Sequence, residues 1–219
     1  VADPIPEAEP DQLIRALSRA ARYGRYFEAG RDGDVPAFDI DASLAAVGSR
    51  LGATEQRVAA SSLQYEFAER VWSVSLGAWA FGRVVPDLTG LRHGTDADGT
   101  VVLGFKDLRG WNCLGIPAGG VAALLAHNVL GHLSAFHEAV RTRVKIADGL
   151  LWGNAATALV LAARSAGRAR SCFDIASALL AEPPLAGRLT GSISVSMRRR
   201  TCCLYYRTAA GRTCSDCPL

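Results

Sequence analysis

Apolar residues recur at helical intervals over most of the chain. Leu13, Ile14, Leu17, Ala21 and Tyr26 fall near one face of a helix predicted over 11–29. A loop rich in Gly, Asp and Pro follows at 32–39. Asp41 is expected to cap a short helix reaching Gly48, and Thr54 with Glu55 to open a longer one running to about Gly82. Trp72 and Trp79 lie seven apart in that helix and share a face, which reads as core. Two short strands are predicted at 83–88 and 100–105, around a polar turn at 93–99 that leaves His93 solvated. Pro117 marks a helix start, and Val121, Leu125, Val129, Leu133, Phe136, Val140 and Val144 continue at near-helical spacing. Further apolar helices are predicted over 149–166 and 173–181, the second ended by Pro183 and Pro184. Strict alternation of Ser and apolar residues at 192–197 predicts the clearest strand. A second is expected at 202–207, turned back near 209–211.

The class is therefore helix-rich α+β with a small β component. With 219 residues, 49% hydrophobic and 21% charged, the chain can bury a core without disulfides or metal. The longest apolar stretches, 113–126 and 150–163, fall short of the roughly 18–20 residues that cross a bilayer. Residues 1–12 are acidic and Pro-rich, unlike a signal peptide, and Val at position 1 suggests a processed chain. The expectation is a soluble, cytoplasmic protein.

Charge changes the picture only at one end. The last 22 residues hold five arginines (Arg198, Arg199, Arg200, Arg207 and Arg212) against the single acid Asp216, while the rest of the chain is nearly balanced. A basic patch of this kind can bind nucleic acid. The same segment, however, carries Cys202, Cys203, Cys214 and Cys217 in the pattern C-C-x10-C-x2-C. A disulfide framework does not suit the expected compartment. A catalytic C-x-x-C dithiol leaves Cys202 and Cys203 unexplained. Structural zinc and an iron–sulfur cluster remain open on spacing alone. Adjacent cysteines make a poor zinc knuckle, because neighbouring side chains on an extended chain point to opposite faces. The arginines favour iron–sulfur: a two-iron cluster with four thiolates is formally about −2, gains a further negative charge on reduction, and is stabilised by nearby cations. Cys113 and Cys172, isolated among apolar neighbours, read as buried structural thiols.

The run Arg-Arg-Arg-Thr-Cys-Cys-Leu-Tyr-Tyr-Arg at 198–207, then Gly211, then Cys-Ser-Asp-Cys-Pro-Leu at 214–219, resembles the C-terminal module of the FhuF-type siderophore-iron reductases. Leu-Leu-Trp-Gly-Asn-Ala at 150–155 resembles a segment such proteins carry upstream. The resemblance implies a 2Fe-2S cluster held by Cys202, Cys203, Cys214 and Cys217, with Arg198, Arg199, Arg200 and Arg207 setting its electrostatics. It divides the chain into a scaffold and substrate domain at 1–197 and a cluster module at 198–219. It implies one-electron reduction of siderophore-bound Fe(III), of hydroxamate type, with release of Fe(II). A ferredoxin-like electron carrier and a zinc-stapled binding module are the alternatives.

Little other chemistry competes. His127, His132 and His137 are spaced by five, so they do not share a helix face. No G-x-x-x-x-G-K-[ST] or G-x-G-x-x-G motif occurs, so electrons must come from an external donor: a ferredoxin, a flavoprotein or a small reductant. Arg143, Trp152 and Asn154 are candidate substrate contacts, the indole giving an apolar wall and the amide a hydrogen bond. Neither nucleic acid nor a membrane is expected as a partner.

Overall fold

The computed structural model describes residues 4–166 and 170–219; Val1 to Asp3, in the acidic N-terminal stretch, lie outside them. The order is α1 (Pro10–Ala21), β1 (Gly30–Arg31), α2 (Ile40–Leu51), α3 (Gln56–Gly82), β2 (Val84–Pro86), β3 (Leu91–Thr95), β4 (Val101–Phe105) and β5 (Gly110–Asn112), followed by α4 (Ala118–Arg141), α5 (Asp148–Ser165), α6 (Arg170–Leu180), β6 (Leu189–Ser192) and β7 (Ser196–Arg199). The helix-rich α+β class is borne out.

Local chemistry sets the element ends. α1 starts at a Pro, with the Gln12 side chain reaching back to the Glu9 amide, and buries Leu13, Ala16, Leu17 and Ala20. It ends at Ala21, well before 29, because Gly24 turns the chain with φ 131°. α2 is capped by Asp39 rather than Asp41: the Asp39 carboxylate accepts from the amides of Asp41 and Ala42. α3 is buried around most of its circumference, including Trp72 and Trp79, and packs against α1, α2, α4 and α5. It is the central rod of one continuous hydrophobic core.

The sheets are small. β3 and β4 form an antiparallel hairpin, and β1 adds to β4 in parallel, giving the order β1-β4-β3. β2 pairs antiparallel with β5, and β6 with β7. His93 is not in a solvated turn. It sits in β3 among the rings of Phe38, Phe67 and Phe136, and burial lowers its pKa to about 4. The alternating run at 192–197 is not one strand either. It spans the turn of the β6–β7 hairpin, leaving Val195 81% exposed. Residues 202–207 form no strand, only irregular backbone closed by a short 3-10 turn at Tyr205–Arg207.

One helix among the described residues, α4, is long and apolar enough to cross a membrane by length and composition, with 39% of its apolar window buried inside the protein. The continuous runs read from the sequence were shorter because polar residues interrupt them. Val121, Leu125, Val129, Leu133, Phe136 and Val140 form the buried face, while His127, Ser134 and Glu138 are exposed.

Candidate iron–sulfur site

Strand alternation in β7 begins the site. Met197 and Arg199 point inward while Ser196 and Arg198 point out. Arg199 therefore enters the protein beneath the cysteine segment, 4% exposed, and meets Asp216, 5% exposed. Its Nε donates to Asp216 Oδ2, its Nη1 to Asn154 Oδ1, and its backbone amide to the Asp216 carbonyl at 3.0 Å. Thr157 Oγ1 donates to the same carboxylate oxygen at 3.0 Å. Burial opposes the charge on Arg199, but Asp216 and Cys203 more than offset it and raise the guanidinium pKa. The guanidinium also lies 5.4 Å from the centre of the Tyr65 ring.

The network extends to the cysteine backbone. Ser61 Oγ in α3 donates to the Cys203 carbonyl at 2.7 Å, and Asn154 Nδ2 in α5 donates to the Ser61 carbonyl and hydroxyl at 3.0 and 3.1 Å. Thr201 Oγ1 donates to the Gly149 carbonyl at 3.2 Å. Gly153 makes this seat possible, since a Cβ there would lie 2.4 Å from Thr201 Oγ1. At the far side, Gly52 closes α2 in the left-handed region with φ 57°, and Ala209 N donates to the Leu51 carbonyl at 3.0 Å. Arg207 adds an ion pair to Glu55 at 2.8 Å. The last twenty residues are thus clamped between α2, α3 and α5.

On this seat two of the four thiols meet. Cys203 Sγ lies 3.5 Å from Cys214 Sγ, and the Leu204 amide points at Cys202 Sγ at 3.3 Å. The Cys217 amide donates to the Cys214 carbonyl at 3.2 Å, closing the two-residue loop between them. All are free thiols, with Cys203 and Cys217 buried and Cys202 and Cys214 partly so. Among the described residues no three His, Cys, Asp or Glu side chains gather around a point that would hold a single metal ion; the closest approach of thiols is pairwise. Burial, followed by the neighbouring Cys203 thiol, raises the Cys214 pKa, and burial raises that of Cys202. Without metal these sulfurs stay protonated, so iron uptake releases protons. Cys113 and Cys172 lie in the hydrophobic core, where burial pushes their thiols up to about 11.

A cavity of about 370 Å³ opens against Cys203 and Cys214. Arg25, Arg50, Tyr26, Tyr65 and Tyr205 form much of its wall. Two carboxylates on the wall are already paired: Glu66 with Arg50 at 3.0 Å, and Asp216 with Arg199.

The expected site residues divide on this geometry. Of the four cysteines, the structure brings Cys203 and Cys214 within 3.5 Å of each other. Of the arginines, Arg199 is buried, Arg198 and Arg200 are exposed, and Arg207 is held by Glu55. Arg198 Nη1 donates to the Cys217 carbonyl at 3.1 Å. The expected substrate contacts fall elsewhere. Trp152 is 7% exposed and packs edge-on to His137, and Asn154 is fully buried with its amide committed to Ser61 and Arg199. Arg143 holds an exposed ion pair with Asp41 at 3.1 Å. The Trp-Gly-Asn segment is therefore the seat of the cysteine module. Sequence reasoning missed Ser61, Thr157 and Asp216; for Ser61 and Thr157, a polar residue inside an otherwise apolar helix was the available signal.

The seat yields a first expectation. Gly153→Ala forces Thr201 aside and costs its hydrogen bond, about 1 kcal/mol. Iron release from the holoprotein to a chelator should accelerate about fivefold, and adding Thr201→Ala should change it little further, since both substitutions remove the same hydrogen bond. An unchanged release rate in Gly153→Ala would mean that this contact does not hold the module.

Residues 199–219 match the FhuF 2Fe-2S C-terminal domain family. No curated protein matches the chain. The resemblance read from the cysteine segment is thus borne out over those residues, and the cofactor is a 2Fe-2S cluster. The donor set fits it, with four free thiols on a preformed seat and a buried cation beside them.

Proposed function

We propose that the protein is a one-electron reductase of siderophore-bound Fe(III), with ferric hydroxamates as its substrate class. The observation that carries the reading is the cavity against Cys203 and Cys214, on the wall of a module matching the FhuF type. A bound 2Fe-2S cluster supplies a one-electron donor and acceptor. Cys202, Cys203, Cys214 and Cys217 would hold it, and Arg199 would hold a positive charge beside them.

Tyr26, Tyr65 and Tyr205 give the cavity flat amphipathic walls, and Arg25 and Arg50 supply donors at its rim. Its volume lies at the small end of ligand sites, so a ferric chelate presents one face to it rather than being engulfed. Siderophore oxygens grip Fe(III) tightly and Fe(II) weakly, so one electron delivered to the chelated ion releases it. That electron comes from an external ferredoxin, flavoprotein or small reductant.

The test uses dithionite-reduced holoprotein freed of excess reductant and mixed with a ferric trihydroxamate in the presence of a ferrous chelator. The chelator matters because trapping Fe(II) pulls the coupled equilibrium forward. Reoxidation should saturate with chelate concentration, and the trapped Fe(II) should equal the electrons lost. Tyr205→Ala, at the cavity wall and 37% exposed, should raise the half-saturating concentration several-fold. A rate linear in chelate, equal for ferric citrate and indifferent to Tyr205, would reduce the protein to an electron carrier.

A further inference from the structure

The 2Fe-2S cluster has two irons and the module four thiols, so the ligands must divide two and two. Loop length alone favours Cys214 with Cys217, since two intervening residues chelate readily. The geometry points to a different division: we propose that Cys203 and Cys214 bind one iron, which faces the cavity, and that Cys202 and Cys217 bind the other.

The first argument is distance. Two thiolates on one tetrahedral metal, with metal–sulfur bonds of about 2.3 Å, stand about 3.8 Å apart. Cys203 Sγ and Cys214 Sγ are 3.5 Å apart, close to that spacing and far beyond the roughly 2.05 Å of a disulfide.

The second is direction. Cys202 and Cys203 are consecutive, yet Cys203 is buried and lies on the cavity wall while Cys202 is half-exposed and lies off it. Cys202 Sγ is approached by the Leu204 amide at 3.3 Å. Cys203 is fixed from behind by Ser61 at its carbonyl and turns its sulfur toward Cys214. The two neighbours therefore serve different irons, which explains how an adjacent Cys-Cys pair can be useful.

The third concerns the short loop. Between Cys214 and Cys217, Asp216 is drawn inward by Arg199 and Thr157, while Arg198 holds the Cys217 carbonyl. Cys217 is thus fixed by the β7 side of the module and Cys214 by the cavity side. The cavity wall includes Cys203 and Cys214 and, among the described residues, neither Cys202 nor Cys217.

The experiment reads the irons one at a time. Single serine variants are reconstituted anaerobically with iron-57, reduced, and examined by Mössbauer spectroscopy, in which ferrous and ferric subsites give separate doublets. Cys203→Ser and Cys214→Ser should perturb the same doublet, and Cys202→Ser and Cys217→Ser the other. Perturbation of one doublet by both Cys214→Ser and Cys217→Ser would overturn the pairing. Where a variant takes up no iron, the Cys202→Ser apoprotein decides instead, by mild oxidation and peptide mapping. A disulfide from Cys203 to Cys214 with Cys217 left open to alkylation supports the proposal, and a disulfide from Cys214 to Cys217 overturns it. Neither readout depends on which acceptor the protein reduces, so the pairing and the proposed activity can fail separately.

Discussion

Serine in place of any one of Cys202, Cys203, Cys214 or Cys217 should strip most of the iron from the purified protein, with visible absorbance and acid-labile sulfide falling together. A hydroxyl is a harder and far less acidic donor than a thiol, so each substitution removes a soft charged ligand from a set of four. The effect should not extend to Cys113→Ser or Cys172→Ser, because both sulfurs lie in the hydrophobic core rather than at the module. Iron and sulfide assays on anaerobically purified variants check this. Full loading of Cys202→Ser together with bleaching of Cys113→Ser would refute the ligand assignment. The fold itself should survive, since the core around α3 contains none of the four ligands.

The second large effect belongs to the ion pair beneath the cysteines. Arg199→Met removes one partner of a pair that is about 95% buried and leaves the Asp216 carboxylate with Thr157 as its remaining side-chain donor. Stranding a buried charge costs about 3–5 kcal/mol, and urea unfolding of the apoprotein should show a loss of that order. Adding Asp216→Leu should recover part of it, because the double variant buries no lone charge. The reduction potential supplies a second readout. Arg199→Met leaves uncompensated negative charge beside the thiolates, so the cluster should become harder to reduce. The double variant removes a neutral pair and should return toward the starting value. Arg198→Met with Arg200→Met removes two exposed charges, and the smaller shift expected there should fade with added salt. An Arg199→Met protein of unchanged stability and potential would show that the pair is not formed.

The sequence was most legible where chemistry is local. Helical periodicity found the major helices, and the resemblance carried by the arginine and cysteine run found the cofactor, which the spacing alone left open between zinc and iron–sulfur. Reading went astray where a residue's role is set by partners far along the chain. His93 looked like a loop residue because its neighbours are polar, yet three phenylalanines from distant segments enclose it. The serines at 192–196 alternate as they would in a strand, but period-two polarity cannot distinguish a strand from a hairpin turn that presents serine to water. Asn154 is polar and follows a Trp, a combination that suits a ligand wall equally well. Only the packing of α5 under the module turns it toward Ser61 and Arg199. The cavity draws its walls from α2, α3, the segment after α1 and the cysteine module, so no local pattern could announce it.

The hydrogen bond from Ser61 to Cys203 spans 142 positions of sequence, and that from Arg199 to Asn154 spans 45. Closing such distances comes late in folding, because the chain entropy lost in closure is recovered only when both ends are already shaped. The surface that receives the module, on α3 and α5, belongs to two helices that pack against one another. The cysteine segment is therefore expected to dock after these helices have paired. The core cluster holds none of the four cysteines, so a chain that has lost its iron should keep its helices and take iron up again, which circular dichroism and reconstitution of the apoprotein would check.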